Sequence, residues 1–189
     1  TLPPSIASLA FARVLKNRAA QSHLSSLTPL MSLPVLLEPS EKYGILDCQL
    51  RIDGKGGEFL NMPAGGSLNP TTNETFNKRM HFVKQNGATV FKSAVKGMYD
   101  ITKKIMVRND INNENLKLFI AHQANKRIID ATAKKMNLRK EQVLINIDKY
   151  ANTTAASIPI AISDAYNNKM LSKGDNVILT AFGAGFTWG

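Results

Sequence analysis

An α/β fold, a central sheet covered by helices, is predicted from two observations. From about Val35 onward, short apolar runs of strand character alternate with segments of helical period. The connections between them are short, so successive elements must pack as layers. The last strong run, DNVILTAFG (175–183), is apolar beyond Asn176 except for Thr180 and predicts a strand covered on both faces.

The elements follow in order. YGILDCQLRID (43–53) alternates as a strand does, GKGG (54–57) reads as a turn into EFLNM, and PAGGSLNPTTNE (63–74) is a loop. Over 88–106, Val90, Phe91, Ala94, Val95, Met98, Ile101 and Ile105 recur at helical spacing despite Gly97. NLKLFIAH (115–122) is a strand. The next segment, 124–136, is a helix with Ile128, Ile129, Thr132, Ala133 and Met136 on one face. VLINID (143–148) is a further strand. Ala155, Ile158, Ile162, Ala165 and Tyr166 then mark a helix, with Pro159 close enough to its start for the missing N–H to be tolerated.

Residues 1–34 have another texture. The first acidic residue is Glu38; before it stand Arg13, Lys16 and Arg18 among many Ser, Leu and Pro. SLAFARVLKNRAA suits a short helix, but AQSHLSSLTPLMSLP keeps no period. The chain divides accordingly into an anomalous leader, 1–34, and one domain, 35–189. Basic, Ser-rich, acid-free leaders resemble organelle transit peptides.

The 189 residues are 43% hydrophobic and 20% charged, a globular composition, and no apolar run reaches the roughly 18 residues of a membrane span. Cys48 is the only cysteine, which excludes an internal disulfide framework and a cysteine-based zinc site. It lies inside a predicted strand, where a buried small hydrophobe is expected. A net charge of +10, from 24 Lys+Arg against 14 Asp+Glu, favours acidic partners: nucleic acid, a membrane surface or an acidic protein.

Functional groups of α/β sheets collect where strands end. His122 ends one predicted strand, Asn152 follows the next, and AFGAGFTWG closes the third. If the strands are neighbours, an imidazole, a carboxamide and a glycine turn converge. The first two are donors that suit one developing oxyanion, and the turn offers a second, backbone oxyanion hole. The structural alternatives stand beside this: a hydrogen-bonded strand-end His122, and Asn152 as an N-cap before Thr153 and Thr154. His81 and His23 lack such a setting. No His, Asp or Glu pair has a metal-ligand spacing, and GKGG lacks the Lys-Ser/Thr that starts a phosphate-loop helix.

AHQANKRIIDATAKKM, KYANTTAASIPIAI and ILTAFGAGFTWG, in that order, closely resemble the C-terminal half of β-ketoacyl-acyl-carrier-protein synthase III, a thiolase-fold condensing enzyme. VLLEPSEKYGILDCQLRIDGKGGEFLNMPAGGSLNP extends the resemblance back to Val35, and the details are most like enzymes of the Bacteroidetes type. The resemblance implies the C-terminal half of a thiolase-like fold, a mixed sheet covered by helices. It also implies a decarboxylative Claisen condensation of acetyl-CoA with malonyl-acyl-carrier-protein that initiates fatty-acid synthesis. His122 and Asn152 match the family's catalytic pair, which stabilises the enolate oxygen. Phe182 matches the aromatic residue beside the departing carboxylate. Gly183, Ala184 and Gly185 match the oxyanion turn, where Ala184 replaces a common glycine at little cost if its φ stays negative. Gln123, Ala124, Asn125, Lys126 and Arg127 match the segment that contacts the acyl carrier protein, with Lys126 and Arg127 meeting its acidic helix.

The resemblance further implies a cytoplasmic homodimer without metal, cofactor, membrane or nucleic-acid partner, its substrates carrying phosphopantetheine. Nothing in the chain matches the family's nucleophilic cysteine, which belongs upstream of Val35, and the family continues past GFTWG. The expectation is therefore a fragment, inactive alone and prone to self-association, whose residues 1–34 are out-of-frame translation, a misjoined gene model or disordered. Two other functions remain: a non-catalytic basic module that binds a carrier protein or nucleic acid, and another thiolase-fold condensing enzyme with a different acyl donor.

Overall fold

The computed structural model describes residues 9–13, 35–40 and 42–189. The first part of the chain contributes β1 (Leu9–Arg13), β2 (Leu36–Pro39), β3 (Arg51–Ile52), β4 (Leu60–Asn61), α1 (Asn73–Asn77), β5 (Lys84–Gln85) and α2 (Gly87–Arg108). The second contributes β6 (Leu116–Ala121), α3 (Lys126–Lys135), α4 (Ile147–Tyr150), α5 (Ser157–Asn167), β7 (Asn176–Thr180), β8 (Phe182–Gly183) and β9 (Thr187–Trp188).

The core is built around β6. Its residues alternate between two faces. Phe119 and Ala121 join Met106, Ile129, Met136 and Ile178 on the side of α2 and α3, while Leu118 and Ile120 join Leu144, Ala161 and Ala165 on the side of α5. β7 runs parallel to β6, with Ala121 level with Thr180. A layer of helix therefore covers each face of β6, which is the predicted α/β arrangement.

Each helix follows from its sequence. Asn86 caps α2, its Oδ1 accepting from the Thr89 N–H at 3.1 Å, and Val90, Ala94, Met98 and Ile101 form the buried stripe. Gly97 in mid-helix lets the Trp188 ring pack closely, since a Cβ there would stand 3.3 Å from it. In α3, Ile129, Thr132, Ala133 and the capping Met136 are buried as predicted, whereas Ile128 is half-buried. Lys134 and Lys135 sit in its last turn, where cations favour the helix dipole.

Several expectations are corrected. Of 43–53, only Arg51–Ile52 forms a strand, because only it finds a partner, antiparallel β9. Cys48 consequently lies exposed in an irregular segment, not buried in a strand. Segment 143–148 is no strand either: Val143 makes a single parallel bridge to Phe119, and α4 begins at Ile147. Strand β7 is open on one side, with Leu179 47% exposed, so it is not covered on both faces. On α5 the buried residues are Ser157, Ala161 and Ala165, while Tyr166, and Ala155 ahead of the helix, face solvent.

Within the leader, LAFAR is extended and not helical, and β1 pairs antiparallel with β2 across the 34/35 boundary. The other readings of 1–34 fall outside the described residues. Among the described residues, no helix is long and apolar enough to cross a membrane.

Candidate functional site

The parallel register of β6 and β7 places their C-terminal ends side by side. The chain leaves β6 at His122, whose N–H donates to the Thr180 carbonyl at 2.8 Å, and leaves β7 two residues before Phe182. On the other flank of β6, the Leu144 N–H donates to the Phe119 carbonyl at 3.1 Å. That edge segment runs in the same direction and leads through α4 to Asn152. The three junctions singled out in the sequence thus leave one end of the sheet, as neighbouring exits.

His122 is half-buried, and its Nδ1 lies 2.6 Å from Ser157 Oγ at the start of α5. Ser157 is buried and also accepts the Gln123 N–H at 3.3 Å. Burial holds the imidazole below its ordinary pKa, so at neutral pH it is uncharged and carries one proton. With Nδ1 engaged inward, Nε2 is the nitrogen left for a ligand. Asn152 is exposed, and its Oδ1 accepts from the Thr154 N–H at 2.9 Å. The side-chain NH₂ donates to no protein group among the described residues. Asn152 therefore closes a turn but is not the helix N-cap of the structural alternative, since Thr153 takes the cap position of the turn that follows, and its donor end stays exposed.

The closing hairpin is packed into the body of the chain. Phe182 lies against Phe186 and Trp188, with ring centroids 4.9 and 6.1 Å away. Phe186 and Asp53 exchange both backbone hydrogen bonds, at 2.7 and 2.8 Å. A Cβ on Gly56 would meet the Phe186 ring at 2.3 Å, so GKGG is the seat of that ring and not only a turn. Gly185 has φ +140, and a Cβ there would lie 2.8 Å from Thr187 Cγ2. Ala184 is exposed and keeps a negative φ, so the alanine costs the turn nothing in backbone strain. An open cavity of about 340 Å³ runs beside this hairpin, between Phe182, Trp188 and the charged side chains Arg51, Lys96 and Asp100.

The segment 123–127 divides. Gln123 is 1% exposed, which removes it from any partner-facing surface. Its Nε2 donates to the carbonyls of Ala121 (2.9 Å) and Leu144 (3.2 Å), and its Oε1 accepts the Asn146 N–H at 3.0 Å. It is a strut between β6 and the edge segment that carries Asn152. Ala124, Asn125, Lys126 and Arg127 are exposed. Asn125 caps α3, Lys126 pairs with Asp130 at 2.7 Å, and the Arg127 guanidinium lies over the Phe91 ring. Sequence reasoning missed Ser157 and the buried role of Gln123. Thirty-five residues separate His122 from Ser157, and no local pattern links them.

Residues 106–189 match the family model described as 3-oxoacyl-[acyl-carrier-protein] synthase III C terminal. Among similar curated proteins, the β-ketoacyl-[acyl-carrier-protein] synthase III of Koribacter versatilis is 51% identical over 158 residues, 82% of this chain and 47% of the relative. That of Phocaeicola vulgatus is 51% identical over 150 residues, 79% of this chain and 44% of the relative. The chain spans about half the length of the curated relatives it matches. Among solved structures, 3-oxoacyl-[acyl-carrier-protein] synthase III of Aquifex aeolicus aligns with a TM-score of 0.70 at 35% identity, over 82% of this chain and 46% of that one. The synthase III of Pseudomonas aeruginosa aligns at 0.71 and 31%, over 82% and 47%.

Proposed function

We propose that this chain, whose residues 106–189 match the 3-oxoacyl-[acyl-carrier-protein] synthase III C-terminal family model, supplies the decarboxylating half of a condensing site. Its substrate is a malonyl group held as a thioester on an acyl carrier protein, and its setting is the cytoplasm. The observation that carries this reading is the uncharged, inward-anchored imidazole of His122 beside the exit that leads to the outward amide of Asn152.

In the reaction proposed, the malonyl thioester oxygen accepts hydrogen bonds from His122 Nε2–H and the Asn152 NH₂. The bond to the carboxylate breaks, its electron pair forms the enolate, and CO₂ departs. Charge grows on the oxygen as the two donors meet it, and one such donor lowers the barrier by about 3–4 kcal/mol. The ring of Phe182 gives the carboxylate an apolar neighbour and favours its loss as neutral CO₂. The enolate carbon then attacks an acyl thioester, expelling a thiolate, and the N–H of Ala184 faces the transient oxyanion. The acyl-bearing thiol is not Cys48, which stands exposed on an irregular segment. The exposed 124–127 surface receives the acidic carrier, and steering by net positive charge favours that encounter.

The test mixes the 189-residue chain with the cysteine-bearing amino-terminal half of the Phocaeicola vulgatus relative, acetyl-CoA and malonyl-carrier. The mixture should release CO₂ and form the 3-oxoacyl product, and His122→Ala should lower the rate roughly 10²–10³-fold, the cost of one oxyanion donor. Condensation by the 189 residues alone, no release from a mixture of folded halves, or release indifferent to His122→Ala, each overturns the reading.

A further inference from the structure

Deepening that reading and resting on it, we propose that Ser157 is a positioning residue that selects the tautomer of His122, keeping the imidazole proton on Nε2. The assignment rests on a count of protons. A serine hydroxyl has one proton to give and two lone pairs to accept with. The Gln123 N–H, at 3.3 Å, can only donate, so it occupies a lone pair of Oγ. Of the two groups that meet Oγ among the described residues, only His122 Nδ1, at 2.6 Å, can take the hydroxyl proton. A nitrogen that accepts that proton carries none of its own, and the imidazole proton then sits on Nε2, the outward nitrogen.

The surroundings hold this geometry. Ser157 is 2% exposed, so water does not compete freely for its hydroxyl. The backbone on both sides of the ring is pinned: His122 N–H to the Thr180 carbonyl, and Gln123 through its own amide to Ala121, Leu144 and Asn146. Burial favours the uncharged imidazole, which is the state in which a choice of tautomer exists. With the other tautomer Nε2 is a bare acceptor and repels an enolate oxygen, so the serine decides whether His122 is a donor at all.

The test is a long-range ¹H–¹⁵N spectrum of the imidazoles in the ¹⁵N-labelled full chain, above the histidine titration range. The His122 signals are identified by their loss in His122→Gln. The Nε2–H form should dominate in the native chain and in Ser157→Thr, which retains the hydroxyl. In Ser157→Ala the ratio of Nε2–H to Nδ1–H should fall roughly fivefold, the net worth of one hydrogen bond. Dominance of Nδ1–H in the native chain, or a ratio unmoved by Ser157→Ala in a chain with an otherwise native amide spectrum, overturns the inference. If Ser157→Ala does not fold, the native and Ser157→Thr spectra decide it. The spectrum needs no substrate, so the two ideas fail separately: the inferred tautomer with CO₂ release indifferent to His122→Ala sinks only the condensation reading.

Discussion

Strand β6 and the segment 43–52 are both rich in apolar side chains, yet they lie at opposite extremes of burial. Phe119, Ile120 and Ala121 are fully enclosed, whereas Ile45, Leu46, Leu50 and Ile52 are between 67% and 79% exposed. The difference is one of partners. β6 has β7 on one edge, the Val143 bridge on the other, and helices over both faces. Residues 43–50 have no strand beside them among the described residues. Their anchor is Asp47, which accepts hydrogen bonds from both Nε and Nη2 of Arg108 and from Asn109, and these hold its carboxyl below the usual pKa. A strand is stabilised by the ladder and the face it joins, so alternation alone does not make a segment part of a sheet.

Substitutions in the two segments test this contrast, and the largest effect belongs to β6. Phe119→Ala should cost about 3–5 kcal/mol, as expected for a large core side chain reduced to a methyl, read as a lower urea midpoint at unchanged slope. A loss under about 1 kcal/mol would mean that this core is not the seat of stability.

The second effect is a dependence on pH where β6 ends. His122 is buried uncharged, and its folded pKa lies below the free value of about 6.5. The unfolded chain therefore binds the proton first. Stability should be full above about pH 6.5 and fall as the pH drops below it, until the folded imidazole also titrates. His122→Gln should flatten that part of a melting-temperature profile; a profile with its slope intact would assign the dependence to other groups.

The smallest effect is expected from the open segment. Leu50→Ser should change stability by no more than about 0.5 kcal/mol, the usual range for a surface site, and should improve solubility by interrupting an exposed apolar run. A loss comparable to that of Phe119→Ala would show that the segment is covered in solution, by another copy or another polypeptide.

Much of the site was legible because strand ends in parallel sheets face one way. An apolar run ending in His122, a second segment leading to Asn152 and a glycine hairpin leave the sheet at the same end, as the shared direction of β6, β7 and the Val143 edge requires. Gln123 was misread because sequence tells that a residue follows a strand but not whether its side chain turns inward. Here the carbonyls of Ala121 and Leu144 face a common gap that an amide fills. VLINID has the composition of a strand, yet pairing stops after one bridge because the chain turns into α4 at Ile147.

The helical stripes of α2 and α3, the apolar strands β6 and β7, and the residue types at their ends were all set by the sequence. These depend on periodicity and on the chemistry of single side chains. Tertiary packing alone settled which apolar segments are covered, that GKGG seats Phe186, and that Ser157 stands 2.6 Å from His122. Such contacts join residues far apart in the chain. Their distances follow from how layers pack around β6, and no local pattern encodes them.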